Sequence, residues 1–191
     1  MNSKTLLLRR SFAAAAATAV LLGAGTAAAA TYCYDLSGPA VGTTYAVGDS
    51  LTPTGATAEF KRFQWDSGTW FAGGSAEIVA NNAAGGVASE LNLNNINLRI
   101  IPDTPAYTAS YKYADFGGNM NLGVNGDLRN TNDLMTVDGT VVGGCDVEVT
   151  QTNFVGLQVG EVEIICAAPE EIEMFGIGGQ EFFVDDICFE N

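Results

Sequence analysis

Four cysteines, twenty-two acidic side chains, two tryptophans and no histidine define the chemistry open to this 191-residue chain. Without histidine there is no Ser/His/Asp or Cys/His triad, no imidazole base and none of the common zinc sites. Glycoside hydrolysis survives that exclusion, because it needs only two carboxylates at the right separation. Nothing in the order of residues singles out one such pair, so a glycosidase ranks third among the readings and a non-catalytic protein ranks first. Cys33, Cys145, Cys166 and Cys188 are even in number and lack the close pairing of metal ribbons. They read as two disulfides in an oxidising compartment.

The N-terminus agrees with that compartment. Lys4, Arg9 and Arg10 precede an apolar Ala/Leu/Val stretch ending in an alanine run with several A-x-A sites, the pattern of a signal peptide cleaved near Ala28 to Ala30. Arg9-Arg10-Ser11-Phe12 is similar to a twin-arginine export signal. Residues 1–30 therefore read as a leader and 31–191 as one domain, secreted, periplasmic or held at the cell surface, with no membrane insertion after cleavage. The leader holds three of the eight basic residues and no acidic ones, which leaves five against 22, a formal charge of −17. Such a surface repels nucleic acid and anionic lipid, and favours cations, neutral glycans or basic partners. High charge of one sign also keeps a secreted protein dispersed.

Strands must position whatever site exists. No helical periodicity follows the leader, whereas period-two alternation recurs between Gly, Asn, Asp and Pro punctuation, predicting an all-β, single-domain jelly-roll sandwich. Tyr107, Ala109, Tyr111 and Tyr113 share one face of a strand whose other face is polar, so this face is expected to meet the core. Met120, Leu122 and Val124 alternate into Asn125-Gly126, a strong hairpin signal. The apolar phase slips at Asn94-Asn95 and again at Gly160, and each slip predicts a β-bulge.

Aromatic side chains supply the candidate ligand site. With Asp66-Ser67-Gly68-Thr69 as a four-residue loop, Trp65 and Trp70 would face each other across a hairpin and form one patch with Phe71. Asn95, with Asn92, Asn94 and Asn97, adds amides. Stacking faces flanked by amides are what a sugar site requires, although the same rings would equally cap a core.

The two ends of the domain, Tyr32-Cys33-Tyr34-Asp35 and FFVDDICF from Phe182 to Phe189, suggest a metal. If these strands pair antiparallel with Cys33 opposite Cys188, Asp35 falls opposite Asp186, and two facing carboxylates repel unless a cation lies between them. A Ca²⁺ ion would resolve the conflict, with Asp35 and Asp186 as first ligands, Asp185 and Asp49 in reserve and backbone carbonyls completing the shell. Solvated aspartates at a sheet edge are the alternative. Pairing Cys33 with Cys188 leaves Cys145 for Cys166, which sets Val147 opposite Ile164 and Val149 opposite Val162. A tight turn near Thr152-Asn153 would need a different register, reconciled only in part by a bulge at Gly160.

The acidic residue in the first strand and the closing apolar-x-x-Asp-Asp-Ile resemble jelly-roll carbohydrate-binding modules, whose ends hold a structural calcium. The closing strand also resembles that of MAM-type sandwiches. VGTTYAVGDS, SELNLNNINLRI, GGNMNLGVNGDLRN and FGIGGQEFFVDDICF resemble a family of uncharacterised secreted bacterial sandwich proteins, which implies a fold but no activity. The module likeness implies binding of a polysaccharide or glycoconjugate. The leading expectation is thus a secreted, non-catalytic glycan-binding sandwich with a structural calcium. The alternative is a structural or adhesive surface protein that self-associates.

Overall fold

The computed structural model describes residues 29–86 and 89–191. The leader expected over residues 1–30 lies outside the described residues but for its last two. Among the described residues strands account for nearly all regular structure, with one 3-10 turn at Leu134–Val137. They form two antiparallel sheets packed face to face, the all-β sandwich that the alternation predicts.

The first sheet runs in the order β12 (Thr140–Val142), β13 (Cys145–Phe154), β14 (Leu157–Ile165), β9 (Thr108–Asp115), β16 (Phe182–Glu190), β7 (Glu90–Asn94), β6 (Ser75–Val79), β2 (Thr44–Ala46). β1 (Thr31–Tyr34) joins β16 on the edge that β7 vacates. The second sheet runs β11 (Asp127–Thr131), β10 (Met120–Val124), β15 (Phe175–Gly179), β8 (Ile96–Pro102), β4 (Ala56–Gln64), β3 (Ser50–Leu51), with β5 (Trp70–Phe71) on the end of β4. Alternation turns Leu91, Leu93, Tyr111, Tyr113, Val162 and Ile164 of the first sheet onto Phe60, Leu98, Leu122 and Ile177 of the second. Each fully buried large apolar side chain contributes about 1.5–3 kcal/mol relative to exposure. Tyr107 lies just before β9 and is exposed, its hydroxyl donating to Glu171 Oε1 at 2.9 Å, so the tyrosine face enters the core only from Ala109 onward.

Asn125 and Gly126 form the two-residue turn of the β10–β11 hairpin, both with positive φ, at 49° and 86°. The Asn125 side chain also reaches outward, donating to the carbonyls of Gly143 (3.1 Å) and Glu171 (2.8 Å).

Two expected bulges are absent, for different reasons. At Asn94-Asn95 the chain passes from β7 in one sheet to β8 in the other. A strand that changes sheets must turn over to keep its apolar face inward, and one residue of alternation is lost; Asn95 makes the turn at φ 56°. At Gly160 the β13–β14 ladder is unbroken from Asp146↔Ile165 to Phe154↔Leu157 and closes over Val155-Gly156, not Thr152-Asn153. The phase changes there because the hairpin outruns the core, leaving Phe154 and Val155 exposed at its tip.

Asp115 ends β9 with 2 % exposure. Burial, reinforced by the carboxylates of Asp133 and Glu181, pushes its pKa up to about 6, against one opposing hydrogen bond from the Gly117 backbone. A carboxyl raised in the folded state binds more protons than in the unfolded chain, so its contribution to stability falls as pH climbs from about 4 to above 6. Asp115→Asn should relieve about 1–3 kcal/mol of that penalty. Thermal melts should show the variant above wild type at pH 7.5, with the gap closing toward pH 4; an equal gap at both would refute the linkage.

Candidate functional site

The outer face of the second sheet carries the candidate site. Between the core-facing residues of its strands, registered neighbours form two rows across the sheet. One row is Arg99, Gly176, Gly123, Leu128; the next is Asn97, Gly178, Asn121, Asn130. In the first row the two central positions have no side chain, so bare backbone floors a cleft of about 250 Å³, with Lys61 and Arg99 on the side of β4 and β8 and Asp127 and Leu128 on the side of β11. Arg62 and Trp70 also line it.

The second row is filled, and it explains where those last two residues come from. β4 leaves the register of β8 after Arg62↔Ile96. The Arg62 carbonyl then accepts from Asn97 Nδ2 at 2.7 Å, and the Gln64 carbonyl accepts from Asn130 Nδ2 at 2.6 Å, although β11 lies at the opposite edge of the sheet from β4. Asn121 sits between Asn97 and Asn130 within hydrogen-bonding distance of both. The asparagines thus replace the ladder bonds that the chain forgoes as it crosses the sheet face. Gly178 lies beneath them: a Cβ there would meet Asn97 Oδ1 at 2.0 Å and the Ile96 carbonyl oxygen at 2.6 Å. A wider cleft of about 610 Å³ beyond this row is lined by Trp65, Asp66, Asn119, Asn132 and Gln180 among others.

The tryptophans do not face each other as the four-residue loop implied. Gln64 pairs with Trp70 and Phe63 with Phe71, and the Trp65 N–H donates to the Thr69 carbonyl at 2.9 Å. The loop therefore has three residues, Asp66-Ser67-Gly68, with Gly68 at φ 80° accommodating the left-handed position. One residue of slip moves a side chain to the other face of a ribbon. Trp65 accordingly packs edge-on against Phe63 (5.5 Å) and Phe71 (6.0 Å). Trp70, 46 % exposed, lies under the Arg62 guanidinium, 5.7 Å from the ring centre, and lines the smaller cleft. Asn95 lines neither cleft; its N–H donates to the Gly179 carbonyl at the sheet crossing.

Both disulfides form as expected, Cys33–Cys188 and Cys145–Cys166. β1 and β16 pair with Cys33 opposite Cys188, and the ladder stops at Tyr34↔Ile187, one step before Asp35 and Asp186. Each aspartate has a local partner. Asp35 accepts from the Ser37 hydroxyl at 2.7 Å and backbone at 3.1 Å, which lowers its pKa. Asp186, at φ 46° in a bulge of β16, reaches Lys112 Nζ at 2.6 Å. Asp185 is buried, accepts from the Asp186 N–H at 2.7 Å and packs against Gly86. Asp49 accepts from the Ala46 N–H at 2.7 Å and closes the β2–β3 turn. Among the described residues no group of three or more acidic or cysteine side chains is placed to hold a metal ion. Glu90, not singled out by the sequence, is fully buried on β7; its Oε1 accepts from the Ala84 N–H at 2.6 Å and pins the β6–β7 loop.

No family model, curated protein or solved structure matches the chain. Among the described residues no helix is long and apolar enough to cross a membrane.

Proposed function

We propose that this protein is a non-catalytic, exported glycan-binding sandwich whose site is the cleft over Gly176 and Gly123. The observation that carries the reading is an exposed indole, Trp70, at the side of a cleft with a bare backbone floor. A sugar ring needs a flat aromatic face on one side and polar groups around its edge, and Asn97, Arg62 and Lys61 supply the edge. Asp127 is the one carboxylate lining this cleft among the described residues, and Arg129 pairs with it at 3.0 Å. That arrangement favours binding over two-carboxylate hydrolysis. Two disulfides accord with export.

Calcium is a separable part of the proposal. Asp35 and Asp186 already bond Ser37 and Lys112, so an ion at this end of the sandwich would have to displace Lys112 from Asp186. Retention of the mature protein on a panel of polysaccharides, with calcium and with chelator, tests both parts. Trp70→Ala should weaken retention about tenfold or more, an aromatic anchor being worth roughly 1.5 kcal/mol or above. Trp65→Ala should mainly lower the melting temperature. Retention on no polysaccharide, with the protein folded, would overturn the reading. Loss of retention by chelator alone would support the ion.

Self-association is the second reading, favoured by Phe154 and Val155 exposed at the β13–β14 tip, with Phe116 exposed at the end of β9. Sedimentation that depends on concentration and is lost in Phe154→Ser/Val155→Ser would select it.

A further inference from the structure

Charge is distributed over this domain very unevenly. Of the five basic residues after the leader, Lys61, Arg62 and Arg99 line the smaller cleft and Arg129 holds Asp127 at its side. Only two acidic residues, Glu59 and Asp127, belong to that cluster. The cleft region is thus net positive by two, while the rest of the domain sets one lysine against twenty acids. Glu59 contacts both Lys61 and Arg99 and its pKa is lowered by them, but one glutamate does not require three cations. The partner of Arg62 is the Trp70 ring, so its guanidinium keeps its full donor capacity for a ligand at the same place.

We infer that the cleft binds an anionic saccharide, a sugar bearing carboxylate or sulfate groups, with Lys61, Arg62 and Arg99 reading the charge and Trp70 the ring. This rests on the glycan reading above and names its ligand class. A surface of overall charge −17 repels polyanions everywhere else, so an acidic polymer is admitted only along this strip, and charge then sets orientation as well as affinity. Guanidinium groups meet carboxylate and sulfate oxygens through paired N–H donors, which an ammonium cannot match.

The test compares polymers that differ chiefly in charge, polygalacturonate against its methyl ester and dextran sulfate against dextran, each with calcium and with chelator, the chelator arm excluding a calcium bridge between protein and polyanion. The expected result is retention of a charged polymer without its neutral twin, weakening as salt rises. Whether polygalacturonate or dextran sulfate is retained distinguishes carboxylate from sulfate. Lys61→Gln/Arg62→Gln should lose affinity for it about tenfold at an unchanged melting temperature. Gly176→Val, which obstructs the floor and leaves every cation in place, should lose it too. Equal retention of charged and neutral twins, or charged-polymer binding undiminished in the double variant, would overturn the charge inference and leave the glycan reading standing. Retention of no member of either pair, nor of any polymer in the wider panel, would overturn both.

Discussion

Replacing Cys33 and Cys188 together by alanine should lower the unfolding free energy by about 4–5 kcal/mol, more than the roughly 3 kcal/mol expected for Cys145 and Cys166. The difference follows from loop length. Cys33–Cys188 joins residues 155 apart, nearly the whole domain, whereas Cys145–Cys166 spans 21. Restricting the unfolded chain stabilises more when the closed loop is longer, though only logarithmically. The first bridge also holds β1, a four-residue strand that among the described residues pairs with β16 alone. Tyr32 on β1 stacks on Phe189 (ring centres 5.3 Å apart) and lies within 3.0 Å of where a Gly55 Cβ would stand, so a released β1 uncovers both. Denaturant midpoints of the two double variants, measured beside wild type, check the order. A smaller loss for Cys33/Cys188 than for Cys145/Cys166 would mean that the unfolded chain retains contacts between its ends.

Why this bridge was readable in advance, and the cleft was not, has a physical cause. Pairing along a strand is linear: once Cys33 stands opposite Cys188, the neighbours follow as far as the ladder is regular, to Tyr34↔Ile187 but not to Asp35 and Asp186, and the same arithmetic set Val147 against Ile164 and Val149 against Val162. Asn125-Gly126 was legible because its backbone conformation is demanded locally. The slip at Asn94-Asn95 was visible but ambiguous, since a bulge and a change of sheet disturb alternation in the same way. The tryptophan register turned on one residue, Thr69, which pairs with Trp65 instead of belonging to the loop. Asn97, Asn121 and Asn130 lie 24 and 9 residues apart and meet only because β8, β15, β10 and β11 lie side by side. Likewise Arg99 and Arg129 stand far in sequence from the Lys61-Arg62 pair, and the fold alone gathers them.

Gly178→Ala should destabilise the protein by about 3 kcal/mol, while Gly176→Ala, two residues earlier on the same strand, should raise stability by about 0.5 kcal/mol. Neither glycine has positive φ, so backbone conformation does not separate them. Space does. At Gly178 the added methyl collides with Asn97 Oδ1 and with the Ile96 carbonyl oxygen, and the Asn97 amide cannot retreat without disturbing the hydrogen bond that it donates to the Arg62 carbonyl. At Gly176 it meets only the Leu98 carbonyl oxygen at 3.6 Å, ordinary contact, and the less flexible residue restricts the unfolded chain. Calorimetry on the two variants reads the difference directly, and similar stabilities would mean that the chain segment after Arg62 does not rest on the asparagine row. Binding should fall at both positions, for different reasons. Gly178→Ala releases the segment carrying Arg62 and Trp70, so it should lose ligand together with stability, whereas Gly176→Val should lose ligand while remaining folded. Loss of binding with and without loss of stability separates a glycine that seats the crossing chain from one that keeps the floor of the proposed site open.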